Sequence, residues 1–288
     1  MRKLAAGLSL LLALTSCASS SPAPTRSSPA RVAAQGESPV SEVRTIRDFH
    51  EVAQLMADLS APTTLLVLDI DDTLLTSETF FGSDQWFAWQ YNSALPVDKV
   101  KCLFDVQALS YEIGTMRLPQ EGIPSLVAGL AVDKLILTSR SPVSRSPTER
   151  ELLLAKYELP PQLTANGEAL EFVSLGGLGP LTYANGIFMS KGGNKGVLLL
   201  ELLERIGRSY ETVVLVDDGK KNIDAMQAAL AQARISYYGF HYIAVDKPKE
   251  LPEVLAAEGR QAWARLLAFL DQHSPSRKAR LDAEKCFY

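Results

Sequence analysis

Three aspartates, Asp69, Asp71 and Asp72, fall within four consecutive positions of the stretch "TLLVLDIDDTLLTSE". An apolar run delivers them, and carboxylates at that spacing repel one another. Such a cluster is tolerated where a divalent cation and a lysine neutralise it, and ligands that are all oxygen suit Mg2+. A second acidic pair, Asp217-Asp218, ends another apolar run, "ETVVLVDD". Thr138 ends a third, "KLILTS", and Lys195 opens the periodic segment "NKGVLLLELLERIG" just ahead of the second acidic pair. Carboxylate pairs, a hydroxyl and an ammonium thus stand at the ends of apolar runs and at a helix start.

These groups need a scaffold that makes them converge. Continuous apolar runs alternating with amphipathic helices indicate a parallel sheet covered on both faces, the three-layer Rossmann-like α/β architecture. In such sheets ligands bind beyond the carboxyl ends of the strands, which is where Asp69, Thr138 and Asp217 fall. The expected strands are 63–68, 134–139, 171–175, 211–218 and the run "YYGFHYIAV"; Asn185-Gly186 signals a hairpin. Val43, Ile46, Phe49, Val52, Leu55, Met56 and Leu59 suggest one helical stripe. Ser146-Pro147-Thr148-Glu149 suggests a capping box opening a helix to about Tyr157, and Gly207 closes the helix from Lys195. A last helix covers 252–272. The segment 76–120 is aromatic and interrupts the alternation, so an inserted small cap is expected there.

The order and placement of these residues resemble the haloacid dehalogenase-like phosphatase superfamily. "DIDDTLL" is similar to its Asp-x-Asp-x-Thr first motif, Thr138 to its second, Lys195 to its third, and Asp218 with Asn222 to its acidic fourth. The similar core runs from about 63 to 245. "GSDQWF" resembles a bacterial branch of secreted members. The resemblance implies Asp69 as nucleophile and Asp71 as general acid and base. It implies Mg2+ held by Asp69, the Asp71 main-chain carbonyl and Asp218. Thr138 and Lys195 would bind the phosphoryl oxygens, and Asp217 and Asn222 would stand behind the metal or reach it through water. It implies hydrolysis of a small phosphate monoester through an aspartyl-phosphate. Mutase or phosphotransferase activity within the superfamily and a non-catalytic envelope lipoprotein on the same fold stay as alternatives. Asp71, which the dehalogenases lack, favours phosphorus chemistry.

Other residues remain open between two readings. Lys191 competes with Lys195 as the motif lysine. Arg140 either binds substrate phosphate or is a solvated charge at a strand end. Trp86, Phe87 and Trp89 either stack on a substrate ring or form the cap's core. Asp72 has no assigned role, and Thr73 is expected to order the loop. "GGLGP", 176–180, reads as a connection. Cys102 and Cys286 are free to pair outside the cytoplasm.

At the N-terminus, Arg2 and Lys3 precede the apolar stretch "LAAGLSLLLALTS" and Cys17. This resembles the signal and lipobox of bacterial lipoproteins, implying removal of 1–16 and lipidation of Cys17. Residues 17–40, rich in Ser, Pro and Ala, read as a flexible tether, and 41–288 as the folded domain. Ala18 after the cysteine implies, by the same resemblance, an outer-membrane anchor facing the periplasm. A formal net charge of −4 over 288 residues argues against a nucleic-acid-binding surface.

Overall fold

The computed structural model describes residues 38–172 and 178–287. The expected leader, Cys17 and most of the tether lie outside the described residues, as do parts of the 171–175 strand and of the "GGLGP" connection. The chain runs through β1 (Ser41–Ile46), α1 (His50–Asp58), β2 (Thr64–Leu68), β3 (Thr76–Ser77), α2 (Asp84–Asn92), α3 (Leu103–Ile113), β4 (Met116–Arg117) and α4 (Ile123–Gly129). It continues through β5 (Asp133–Thr138), α5 (Arg145–Leu154), β6 (Leu170–Phe172), β7 (Leu181–Ala184), β8 (Ile187–Met189) and α6 (Lys195–Ile206). The last elements are β9 (Thr212–Asp217), α7 (Lys220–Ala233), β10 (Ser236–Tyr242), α8 (Glu253–His273) and α9 (Pro275–Asp282).

One eight-stranded sheet has the order β1-β10-β9-β2-β5-β8-β7-β6. Pairings from β1 across to β8 are parallel, and β7 and β6 add an antiparallel edge. Every residue of β2 is buried because the strand is covered on both faces. Its side chains alternate between two cores. Leu65 and Val67 join Leu199 and Leu202 of α6 with Ile223 and Met226 of α7. Leu66 and Leu68 join Val52 and Met56 of α1, Ile123 of α4 and Leu152 of α5. Each such burial contributes roughly 1.5–3 kcal/mol. The result is a three-layer α/β molecule with the Asp69 strand near the middle of the sheet.

The segment between β2 and β5 forms α2, α3 and the two-stranded antiparallel β3–β4 sheet. It has its own apolar cluster, in which Phe80, Trp86 and Val106 pack with Leu266, Leu270 and Leu281 of the C-terminal helices. Gly259 of α8 permits this approach, since a Cβ there would lie 3.2 Å from the Trp86 ring. A disulfide joins Cys102, just before α3, to Cys286 after α9.

Three expectations are corrected. The stripe from Val43 to Leu59 is not one helix. Residues 41–46 form β1, paired with β10, and the helix starts only at His50. Val43 and Ile46 fit a helical spacing, but edge pairing satisfies their backbone, and the Asp48 carboxylate accepts from His50 N to turn the chain. Ser146 does not cap α5, which begins a residue earlier and ends at Leu154. Thr148 instead donates to Ser144 O and accepts from Arg140. The third strand, described over Leu170–Phe172, is antiparallel and at the sheet edge. The Asn185-Gly186 turn is as expected, with φ of 51° and 69°.

Candidate active site

Asp69 follows β2 directly, and its backbone N–H still donates to Val216 O of β9. The chain then turns sharply. Asp72 adopts φ 57° and donates its N–H to Leu75 O, while Thr73 N–H returns to Ile70 O. Thr73 Oγ1 accepts from Asp218 N at 3.1 Å, which ties the first acidic turn to the second. The expectation that Thr73 orders the loop agrees with this bond.

Lys195 stands at the first position of α6, with Asn194 capping the helix by accepting from Val197 N. Its Nζ donates to Asp69 Oδ1 at 2.6 Å and to Asp217 Oδ2 at 2.7 Å, all three groups being buried. Burial alone would lower the ammonium. The carboxylates of Asp217 and Asp69 overrule it and hold Lys195 above the usual lysine value. Asp69 is only 5% exposed, and its burial pushes the carboxyl well above its ordinary value against the pull of Lys195. The other Asp217 oxygen accepts from Gly219 N and from Asn222 Nδ2. Asn222 therefore orients Asp217.

Asp71 lies on the other side of the turn, held by Arg140. The guanidinium donates from Nε to Oδ2 (2.9 Å) and from Nη2 to Oδ1 (2.8 Å), a bidentate grip. Arg140 is 4% exposed, so the solvated reading is excluded. It also donates to Thr148 Oγ1 and lies 4.1 Å over the Tyr111 ring. Thr138 is buried, and its hydroxyl accepts from Arg140 N at 3.2 Å.

Lys247 completes the group and was not anticipated. Its Nζ contacts Asp72 Oδ2 (2.7 Å), Asp84 Oδ2 (2.8 Å) and Asp218 Oδ2 (2.5 Å). It gives Asp72 a partner and links α2 to the sheet. His241 Nε2 donates to the Asp218 carbonyl at 3.0 Å. Burial raises Asp218 to about 7 against the pull of Lys247, with Asp217 and Asp84 adding repulsion. Asp246-Lys247-Pro248 fits no motif. The available signal was its place beyond the end of β10, another parallel strand pointing the same way.

The structure thus gathers Asp69, Lys195, Asp217 and Asn222 in one hydrogen-bonded group, with Asp218, held by Lys247, and Asp71, Arg140 and Thr138 beside it. Ligand oxygens of Asp69, Asp217 and Asp218 lie within 4.8 Å of one another. An all-carboxylate donor set at that spacing fits a hard divalent cation. Lys191 does not reach these carboxylates. It lines a cleft of about 420 Å³ with Asp71, Arg140, Phe87 and Tyr111. Trp86 is core, as one of the two readings of the aromatic cluster held, and Phe87 packs partly against that core while also lining the cleft.

No curated protein matches the chain. A family model described as "Protein of unknown function (DUF2608)" matches residues 45–276, from β1 into α9, and the chain belongs to that family.

Proposed function

We propose that the protein is a Mg2+-dependent phosphate monoesterase of haloacid dehalogenase-like type. The observation that carries this reading is the Asp69–Lys195–Asp217 ion group with Asp218 at its side, set beyond the ends of β2 and β9. Asp69 attacks phosphorus, the ester P–O bond breaks, and Asp71 gives its proton to the departing alkoxide. Asp71 then takes a proton from water, whose oxygen attacks the aspartyl-phosphate and frees phosphate and Asp69. Arg140 fixes the Asp71 carboxyl for both transfers. Lys195 and the Thr138 hydroxyl receive phosphoryl oxygens and offset charge that develops there. Asp69, Asp218 and the Asp71 carbonyl would hold Mg2+, which supplies positive charge between the carboxylates and the phosphate dianion.

In this reading the segment 76–120 is a cap over the site. The protein is held at the bacterial envelope by lipid on Cys17, and the Cys102–Cys286 disulfide supports a compartment outside the cytoplasm. Phosphate release from a panel of monoesters is the test. The expected result is turnover with Mg2+ that chelator abolishes and added Mg2+ restores. Turnover indifferent to chelator, or none from any ester, would overturn the reading.

A further inference from the structure

We propose that the cleft beside Asp71 takes a phosphate monoester whose alcohol carries a flat aromatic ring, with Phe104 and Tyr91 as the ring's platform. This substrate class rests on the phosphatase reading. The cleft, about 420 Å³, falls in the range of small-molecule sites. Two different surfaces meet in it. One carries Asp71 and Arg140. The other is an aromatic wall from α2 and α3. Phe87 and Tyr91 stack at 6.1 Å and 14°, and Phe104 lies 5.6 Å from Phe87.

Core packing accounts for Phe87, which lies partly against the apolar cluster, but not for the exposure of Tyr91 and Phe104. Trp86 and Val106 already fill the apolar cluster against α8 and α9. Phe87 and Tyr91, four apart on α2, line the cleft, Phe87 from the edge of that cluster and Tyr91 beyond it. Tyr91 is 61% exposed and Phe104 49%, so two large rings stand in water beside the reacting groups. Adjacent rings of this kind are partners for another ring, by stacking or edge contact.

The charge in the cleft suits the rest of such a substrate. Lys191 and Lys221 also line it. Among the described residues neither ammonium has an anionic partner, whereas Lys195 and Lys247 are each bound to carboxylates. Free cations thus attract the phosphate dianion into a cleft whose remaining wall fits an aromatic alcohol. In hydrolysis the P–O bond to that alcohol breaks and the alcohol leaves with a proton. Water supplies the oxygen that stays on phosphorus.

Phosphonates carry a P–C bond and cannot be hydrolysed in this way, so their binding tests the ring site apart from turnover. Calorimetry with Mg2+ present would compare benzylphosphonate, cyclohexylmethylphosphonate and ethylphosphonate. The expected order is benzyl about tenfold tighter than ethyl with cyclohexylmethyl between, and Phe104→Ala or Tyr91→Ala brings benzyl and ethyl to within about twofold. Both positions are exposed and neither belongs to the apolar clusters, so substitution leaves the core intact. Equal affinity for all three ligands would overturn the proposal. So would cyclohexylmethyl equal to benzyl, a preference that survives both substitutions, or no binding at all. Ring-selective binding without phosphate release from any ester would sink the phosphatase reading and leave the ring site standing. Phosphate release without ring preference would do the reverse.

Discussion

At the scale of single residues, the site sets crowded carboxylates against two ammonium groups, Lys195 buried and Lys247 partly exposed. Lys195 pairs with Asp69 and Asp217, and Lys247 with Asp72, Asp84 and Asp218, so two positive charges face five carboxyl groups. Asp218 stays raised to about 7 by burial. Between the ordinary carboxylate range and that value the folded protein keeps a proton that the unfolded chain releases. This group's contribution therefore favours folding at low pH and declines as pH rises toward 7. A cation that takes the carboxylate must displace that proton. The gain in melting temperature on adding Mg2+ should thus grow from pH 5 to about 7.5 and then level, reaching about 2.7 kcal/mol of stabilisation where Mg2+ is 100-fold above its Kd. Melting curves with and without Mg2+ across that range are the check, and no gain, or one flat with pH, would contradict it. Asp69, Lys195 and Asp218 were legible from sequence because apolar runs and a helix start place them in one direction. Lys247 and the Arg140 grip on Asp71 were not, because both depend on tertiary approach between segments with no shared spacing.

At the scale of elements, the position of Lys195 depends on how closely α6 meets α7. Gly196 makes that approach possible. A Cβ there would lie 2.6 Å from Ala225 O and 2.7 Å from Ala229 Cβ. Gly196→Ala should therefore lower stability by roughly 1–3 kcal/mol through overpacking, despite a helix-propensity gain of about 1 kcal/mol. It should also reduce turnover, because Lys195 is the preceding residue. Urea unfolding decides the first point, and a variant as stable as the parent would show that the helices have room. The helix from Lys195 to Gly207 was legible because an N-cap, an apolar stripe and a C-terminal glycine agree. The stripe from Val43 to Leu59 misled because an edge strand and a helix in succession can share a helical spacing. Only pairing with β10, distant in sequence, separates them.

At the scale of the whole molecule, most of the charged groups lie at the strand ends, while α2, α3 and the C-terminal helices share an apolar cluster of their own. The disulfide between Cys102 and Cys286 closes 184 residues of chain around both. The sequence offered the two cysteines but not their proximity, which only the packing of α3 against α8 and α9 creates. If lipid on Cys17 holds the molecule at the envelope, Cys17→Ala should move it from the detergent phase to the soluble fraction or block its maturation. Unchanged partitioning would remove the anchor from the account. Sheet, inserted segment and anchor matter to function only if phosphoryl transfer at Asp69 is real. The most direct test is the rate of phosphate release by Asp69→Asn beside the parent, with circular dichroism and melting recorded on both. The amide is nearly isosteric and cannot attack phosphorus. The account predicts a folded variant whose turnover falls by at least about 10³-fold, and a folded variant that keeps turning over would place the chemistry elsewhere.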